Sequence, residues 1–227
     1  DYNKRFYVGE KIPFDLPVAT SSVLPNGQDT LADNALAANA FGQGTDIVTP
    51  MQMSLIDNVV ANNGQLMRPM LVMQATDHNK NPVQTFSSQS LGSQPQVTTQ
   101  TATSVRQAMY GVVRCGSGLV ISNLFSASAS NSGIIGKTGT AEVGGGKPAH
   151  AWLITQAPYD VNNPGQLPAL TIVAMKENGG EGGAATGPMI AAMYRDIFSN
   201  VMKVQLPGPA SPTYCCNTKL LQTGPGC

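Results

Sequence analysis

The chain has 227 residues, a length that suits one large domain or two small ones. Hydrophobic residues make up 41% of it, enough for a core, whereas charged residues are only 11%, far below the quarter usual in soluble domains. Thirteen basic and thirteen acidic residues cancel, so the clustered positive charge that nucleic acid or an anionic membrane surface demands is absent, and neither is expected as a partner.

No apolar run reaches the length of about eighteen residues that reads as a membrane span. The opening Asp1-Tyr2-Asn3-Lys4-Arg5 lacks the shape of a signal peptide and no initiator Met precedes it, which points to a chain that begins inside a longer protein. Four cysteines stand at Cys115, Cys215, Cys216 and Cys227. Without a Cys-x-x-Cys and paired His they do not form a zinc pattern, and no metal or cofactor is expected. Three of them lie in a Pro/Gly-rich tail. A disulfide there, in an oxidising compartment, and unpaired tail thiols beside a buried Cys115 both remain open.

Residues 1–48 read as loops, because Pro13, Pro17, Pro25 and Gly27 interrupt every apolar stretch. A helix start follows: Thr49 caps, Pro50 suits the first position, and Gln52 completes a capping box. Met51, Leu55 and Val59, with Met53, Ile56 and Val60, supply its apolar face, and Gly64 its stop. Met70–Met73 reads as a short strand, His78–Pro82 as a turn, and Val83–Phe86 as a hairpin partner. Residues 87–100 are expected as an exposed loop. A second helix is predicted over Thr103–Val113, with Val105, Met109 and Val112 inward and Gly116 ending it. Ser126–Ser132 reads as a small polar loop.

Three strands are predicted in the last third: Ile134–Val143, Ala151–Gln156 and Leu170–Lys176. The Gly144-Gly145-Gly146 turn between the first two makes them antiparallel neighbours. Gly179-Gly180 and Gly182-Gly183 read as a flexible loop, and Ala185–Met202 as a closing helix with Ile190, Met193, Ile197 and Met202 apolar. The fold class is therefore α+β, a three-stranded antiparallel sheet with flanking helices. Residues 1–206 form the folded unit and 207–227 a Cys/Pro/Gly-rich tail.

Lys137-Thr138-Gly139-Thr140 is the segment with chemistry. On a strand, Lys137 and Gly139 face one way and Thr138 and Thr140 the other. Gly139 removes a side chain, so a ligand can lie against the backbone. A cation and two hydroxyls beside open backbone suit a carboxylate-bearing substrate, although four residues alone also describe an ordinary edge strand. Other candidates fail: Pro148 follows the lysine of Gly144-Gly145-Gly146-Lys147, and Gly116-Ser117-Gly118 lacks the spacing of a nucleophile elbow. His150 reads as a strand start, His78 as a turn residue, and the Met-rich run 51–73 as core filler.

The neighbours of that segment carry a resemblance. Upstream stand Phe14-Asp15-Leu16-Pro17, Gly42-Gln43-Gly44 and Thr49-Pro50-Met51-Gln52-Met53; downstream stand His150-Ala151-Trp152-Leu153 and Lys176-Glu177-Asn178-Gly179-Gly180. In this order and spacing the chain resembles, from about Phe6 to about Val201, the transpeptidase domain of penicillin-binding proteins, the class B cell-wall-synthesising group above all. That family works with Ser-x-x-Lys, Ser-x-Asn and Lys-Thr-Gly. The resemblance implies a partial penicillin-binding and serine β-lactamase-like fold and acyl transfer from peptidoglycan stem peptides, with β-lactams as ligands. It implies that Lys137 supplies positive potential, that Thr138, Gly139 and Thr140 bind substrate, and that the Thr140 N–H is an oxyanion donor.

No serine of this chain is followed by Lys at three residues or Asn at two. In the family both motifs precede the region where this chain begins, so it reads as the C-terminal part of the domain and is expected to be inactive alone. The family is typically tethered outside the cytoplasm by an N-terminal helix and associates with cell-wall synthesis and cell-division proteins. A D,D-carboxypeptidase or β-lactamase-like hydrolase, and a non-catalytic sensor or scaffold on the same fold, are the alternatives.

Overall fold

Three antiparallel strands form the centre of the protein: β3 (Ile135–Ala141), β4 (His150–Ala157) and β5 (Leu170–Lys176), in the spatial order β3-β4-β5. The structure is a computed structural model that describes residues 2–25, 28–124 and 133–203. Ile135 pairs with Gln156 and Ala141 with His150; Ala151 pairs with Lys176 and Ala157 with Leu170. The predicted turn joins β3 to β4, with Gly144, Gly145 and Gly146 all at positive φ, a conformation that glycine adopts without strain.

The two faces of the sheet are covered by different helices. On one lie α4 (Leu119–Leu124) and α5 (Gly182–Asp196), whose Ile121, Ile190, Ala191 and Tyr194 pack against Leu153, Ala157 and Ile172. On the other, Met109 and Tyr110 of α3 (Thr99–Cys115) pack with Ile135 and Tyr159. Beside them lies α2 (Pro50–Ala61), whose Leu55 and Val59 close a third cluster with Ile12 and Leu66. A short α1 (Asp33–Asn39) and a two-stranded ribbon, β1 (Gln74–Thr76) with β2 (Pro82–Thr85), complete the described elements together with two short helical turns.

The α2 start follows the expected chemistry in part. Thr49 Oγ1 accepts from the Gln52 N–H at 3.1 Å and Pro50 opens the helix. The capping box is not completed: the Gln52 Nε2 donates to the Phe6 carbonyl at 2.6 Å, and the Thr49 N–H goes to Ser21 Oγ. Burial explains the difference: Gln52 is fully enclosed, so its amide N–H needs a protein acceptor, and the Phe6 carbonyl of another segment supplies one. Gly64 ends the helix region at φ +95°, where a Cβ would lie 1.9 Å from the Val97 carbonyl oxygen.

Other elements differ from expectation for identifiable reasons. Strand β1 lies after Met70–Met73, because the Leu71 N–H is taken by Asp15 Oδ2 at 2.8 Å and is lost to any ladder. Met73 is 75% exposed, so that apolar run is not core. Segment 87–98 is anchored, since the buried Gln96 accepts the Leu66 N–H through Oε1.

Helix α3 starts at Thr99, earlier than predicted, because Thr98 caps the Thr101 N–H. Its inward stripe is Ala102, Arg106, Met109, Tyr110 and Val113, while Val105 is exposed and Val112 only half-buried. Arg106 sits on the core line, fully buried, because its guanidinium finds four acceptors: the Val60 carbonyl (2.6 Å), Asn63 Oδ1 (3.0 Å), Thr103 Oγ1 (3.2 Å) and the Pro164 carbonyl (3.3 Å). The Val60 carbonyl lies in the last turn of α2, where helix carbonyls favour a cation, and Asn63 stands just beyond that helix.

Helix α5 begins at Gly182 and passes into a π-helical turn over Ile197–Met202. Gly182 and Gly183 are therefore its first turn, not a flexible loop, and Met193 faces solvent at 46% exposure. Cys115 is half-buried and disulfide-bonded; the other cysteines, the loop expected at 126–132 and the tail from residue 207 lie outside the described residues. Among the described residues no helix is long and apolar enough to cross a membrane.

Candidate active site

Lys137, Thr138, Gly139 and Thr140 lie together in β3, which among the described residues pairs with β4 alone and so forms an edge of the sheet. Lys137 and Thr140 are exposed; Thr138 and Gly139 are half-buried. The pleat places Lys137 and Gly139 on the face of Ile154 and Trp152, their cross-strand partners. The Lys137 Nζ donates to the Thr138 carbonyl at 2.6 Å. No carboxylate neutralises Lys137 among the described residues, where Arg68–Asp15 is the ion pair seen.

The two threonine hydroxyls face the α4–α5 side. Thr138 Oγ1 is 2.5 Å from Ser117 Oγ, and Thr140 Oγ1 accepts from the Gly182 N–H at 3.4 Å. Glycines make this approach possible. A Cβ on Gly182 would lie 2.2 Å from the Gly139 carbonyl oxygen, and one on Gly183 would lie 2.5 Å from that of Ser117. Ser117 itself is held in a tight α3–α4 turn, where a Cβ on Gly116 or Gly118 would crowd Val112.

A cleft of about 770 Å³ runs along the other side of this strand. Its walls include Phe41–Gly44, Asp46 and Ile47 from the segment before α2, residues 137–143 of β3 and its turn, and His150, Trp152 and Met175. His150 starts β4 as predicted, and its Nδ1 accepts from the Asn178 N–H at 3.0 Å, which ties the ring to the turn after β5. Asp46 has a buried Oδ1 without a hydrogen-bond partner, and burial pushes its carboxyl above the ordinary range. Two smaller clefts lie away from the strand, one beside Asp15, Arg68 and Phe86, the other beside α2 and Leu170. Among the described residues no three His, Cys, Asp or Glu side chains cluster as a metal site would require.

Ser117 and Asp46 were not legible as site residues. Ser117 meets Thr138 only through a 21-residue separation closed by the fold. The one available signal was its flanking by Gly116 and Gly118, which marks a tight turn without naming what it faces. Gln43, read only as one letter of a Gly-Gln-Gly, bonds the β3 backbone directly: its Nε2 donates to the Thr140 carbonyl at 2.9 Å and its Oε1 accepts from the Glu142 N–H at 3.2 Å.

Residues 1–203 match the family described as the penicillin binding protein transpeptidase domain. Peptidoglycan D,D-transpeptidase PbpA of Mycobacterium tuberculosis (strain H37Rv) is 31% identical over 186 residues, covering 79% of this chain and 33% of that protein. Penicillin-binding protein 3 of Bacillus subtilis is 26% identical over 182 residues, covering 78% of this chain and 24% of its own. The chain thus spans about a third or less of the length of these curated relatives. Among solved structures, the ceftriaxone acyl-enzyme complex of penicillin-binding protein A from M. tuberculosis superposes with a TM-score of 0.69 at 26% identity, over 86% of this chain and 41% of that one. Penicillin-binding protein 2B from Streptococcus pneumoniae, at 22% identity and a TM-score of 0.68, shares the fold over 89% of this chain and 32% of its own.

Proposed function

The chain belongs to the penicillin-binding protein transpeptidase domain family, and from that premise we propose that it is the substrate-binding C-terminal part of a serine D,D-transpeptidase that cross-links peptidoglycan. In this reading a serine supplied from outside these 227 residues attacks the carbonyl of the penultimate D-alanine of a donor stem peptide. The C–N bond to the terminal D-alanine breaks, and that residue leaves as the free amine. An acceptor amine then attacks the acyl-enzyme and returns the serine hydroxyl. A β-lactam takes the donor's place and leaves a slow-clearing acyl-enzyme.

The observation that carries the reading is a β3 edge beside the cleft that no other strand pairs among the described residues, bearing two hydroxyls and a cation with no carboxylate partner among those residues. Lys137 raises the positive potential where charge develops. The Thr138 and Thr140 hydroxyls hold the terminal carboxylate of the donor or of the β-lactam, Gly139 keeps the backbone approachable, and the Thr140 N–H is one oxyanion donor. The curated relatives support peptidoglycan as the substrate, and the disulfide at Cys115 fits an extracytoplasmic, oxidising compartment.

Labelling with a fluorescent penicillin on a denaturing gel tests the reading. The full-length parent is expected to label, and these 227 residues alone are not, since none of their serines has a lysine three residues on. Lys137→Ala in the parent should slow acylation about 10²–10³-fold, the scale on which one preorganised charge-stabilising group acts. Unchanged acylation in that variant, or a stable adduct on the isolated chain, would count against it.

A further inference from the structure

Helix α5 turns an apolar face to solvent. Its exposed residues between 184 and 193 are Ala184, Pro188, Met189, Ala192 and Met193, with the two methionines at 47% and 46% exposure. A helix side that meets water is ordinarily polar. The other sides of α5 are accounted for: Ile190, Ala191 and Tyr194 pack on the sheet, and Gly187 lies against Val120 of α4.

Two anchor points decide what can lie on this face. The first is Lys203, where the chain leaves the π-helical turn in a left-handed conformation at φ +52°, its N–H bonding the Phe198 carbonyl. Such an ending turns the chain off the helix axis. The second is Cys115, the last residue of α3, which is disulfide-bonded. The other cysteines of the chain are Cys215, Cys216 and Cys227, all beyond Lys203. Cys115 stands two residues before Ser117, whose carbonyl oxygen would lie 2.5 Å from a Cβ on Gly183 in the first turn of α5. A disulfide to any of the three therefore brings the chain back from one end of α5 to the other. The 15 residues of α5 and the 6 of the π-helical turn make that return roughly 30 Å.

We propose that the apolar face of α5 is the docking surface of the chain's own segment 204–214, drawn along it by a disulfide from Cys115 to Cys215 or Cys216. The twelve residues from Lys203 to Cys215 reach about 37–40 Å when extended but only about 18 Å as a helix. Pro207, Pro209 and Pro212 exclude the helix. Extended, the segment covers the return with little slack, so it follows α5 instead of looping away. Val204, Leu206 and Tyr214 offer Met189 and Met193 apolar partners. A bond to Cys227 would leave twice that length and impose no such course. Forming the bond takes two protons and two electrons from the two thiols, which reduce a disulfide-bearing oxidant to its dithiol. This strap is independent of the acyl-transfer chemistry proposed above.

The isolated chain, kept oxidised, tests both the bond and the docking. Free thiols are blocked with iodoacetamide and the chain is cut with trypsin without reduction. Cleavage after Arg114, Lys137, Lys203 and Lys219 puts Cys115, the Cys215–Cys216 pair and Cys227 on three separate peptides. Peptide 115–137 linked to peptide 204–219 is expected; peptide 115–137 free, or linked to 220–227, overturns the proposal.

Hydrogen peroxide, which passes one oxygen to each methionine sulfur and leaves water, then reads the cover by mass spectrometry. Met189 and Met193 should oxidise about tenfold faster in Cys115→Ser than in the unsubstituted chain, the opening of a cover held by about 1.4 kcal/mol. The exposed Met73, just before β1, should keep its rate. Unchanged rates at Met189 and Met193 overturn the strap, whatever else covers them. Faster oxidation of the buried Met109 marks an unfolded variant; the double variant Cys215→Ser, Cys216→Ser then takes its place with the same expectation. In the unsubstituted chain, Met189 and Met193 oxidising as fast as Met73 overturns the docking regardless of either variant.

Discussion

Asp57 is buried to 1% exposure on α2, and the way the fold treats its carboxyl makes stability depend on pH. Gln156 Nε2 donates to Oδ1 at 2.7 Å and to the Asp57 carbonyl at 3.0 Å, but Oδ2 has no partner and no cation pairs with it among the described residues. Desolvation outweighs the Gln156 hydrogen bond and pushes the pKa from 3.8 up to about 7. The native state therefore keeps a proton that the unfolded chain releases near pH 4. The stabilisation is fully present below that point, falls as pH rises, and is gone once the native carboxyl ionises near pH 7. At about 1.4 kcal/mol per unit, the span between pH 5 and pH 8 is on the order of 3 kcal/mol.

Asp57→Asn keeps an acceptor for Gln156 and removes the titration. Urea unfolding followed by the fluorescence of Trp152, the one tryptophan in the chain, would be compared at pH 5 and pH 8 for both proteins. The variant is expected to gain stability relative to the parent chain by that amount on going to pH 8, while contributions from all other carboxyls cancel between the two. Parallel pH dependence in the two proteins would refute the assignment of a neutral buried Asp57.

Arg106→Met should cost about 3–5 kcal/mol in the same unfolding assay, because the Val60 and Pro164 carbonyls and Asn63 Oδ1 lose a shared donor. Arg106→Lys should not rescue it, since an ammonium cannot span three such acceptors; full rescue would show that charge alone matters. Gly182→Ala forces a methyl to within 2.2 Å of the Gly139 carbonyl oxygen and 2.6 Å of the Trp152 carbonyl oxygen, both backbone, and should lower Tm by several degrees. An unchanged Tm would mean that α5 moves off β3 without loss. The outer edge of β5 is unpaired among the described residues, so the isolated chain should self-associate with rising concentration in sedimentation; a monomer at all concentrations would contradict that.

How legible this was depended on the range of the interactions. Leu170–Lys176 as a strand, the Thr49-Pro50 start and the Gly144–Gly146 turn follow from local rules of alternation, capping and positive φ, and the structure agrees with each. Arg106 escaped because a periodicity argument discounts a charge on a core line, and the four acceptors that keep it there come from α2, the turn after it, its own helix and the Pro164 loop. Met70–Met73 looked like a strand because apolar runs do, yet Asp15, 56 residues away, takes the Leu71 N–H. The Lys137–Thr140 motif was legible as a unit with its exposed edge, but Ser117 against Thr138 and Gln43 against Thr140 exist only once distant segments meet.

In the proposed function the Lys137–Thr140 edge holds the acyl donor. A crystal structure of the full-length parent after reaction with penicillin G tests it most directly. The ligand carboxylate is expected within about 2.7–3.1 Å of the Thr138 and Thr140 hydroxyls and the acyl oxygen at the same range from the Thr140 N–H. An acyl group attached with its carboxylate away from β3, or with its oxygen turned from Thr140, would contradict it.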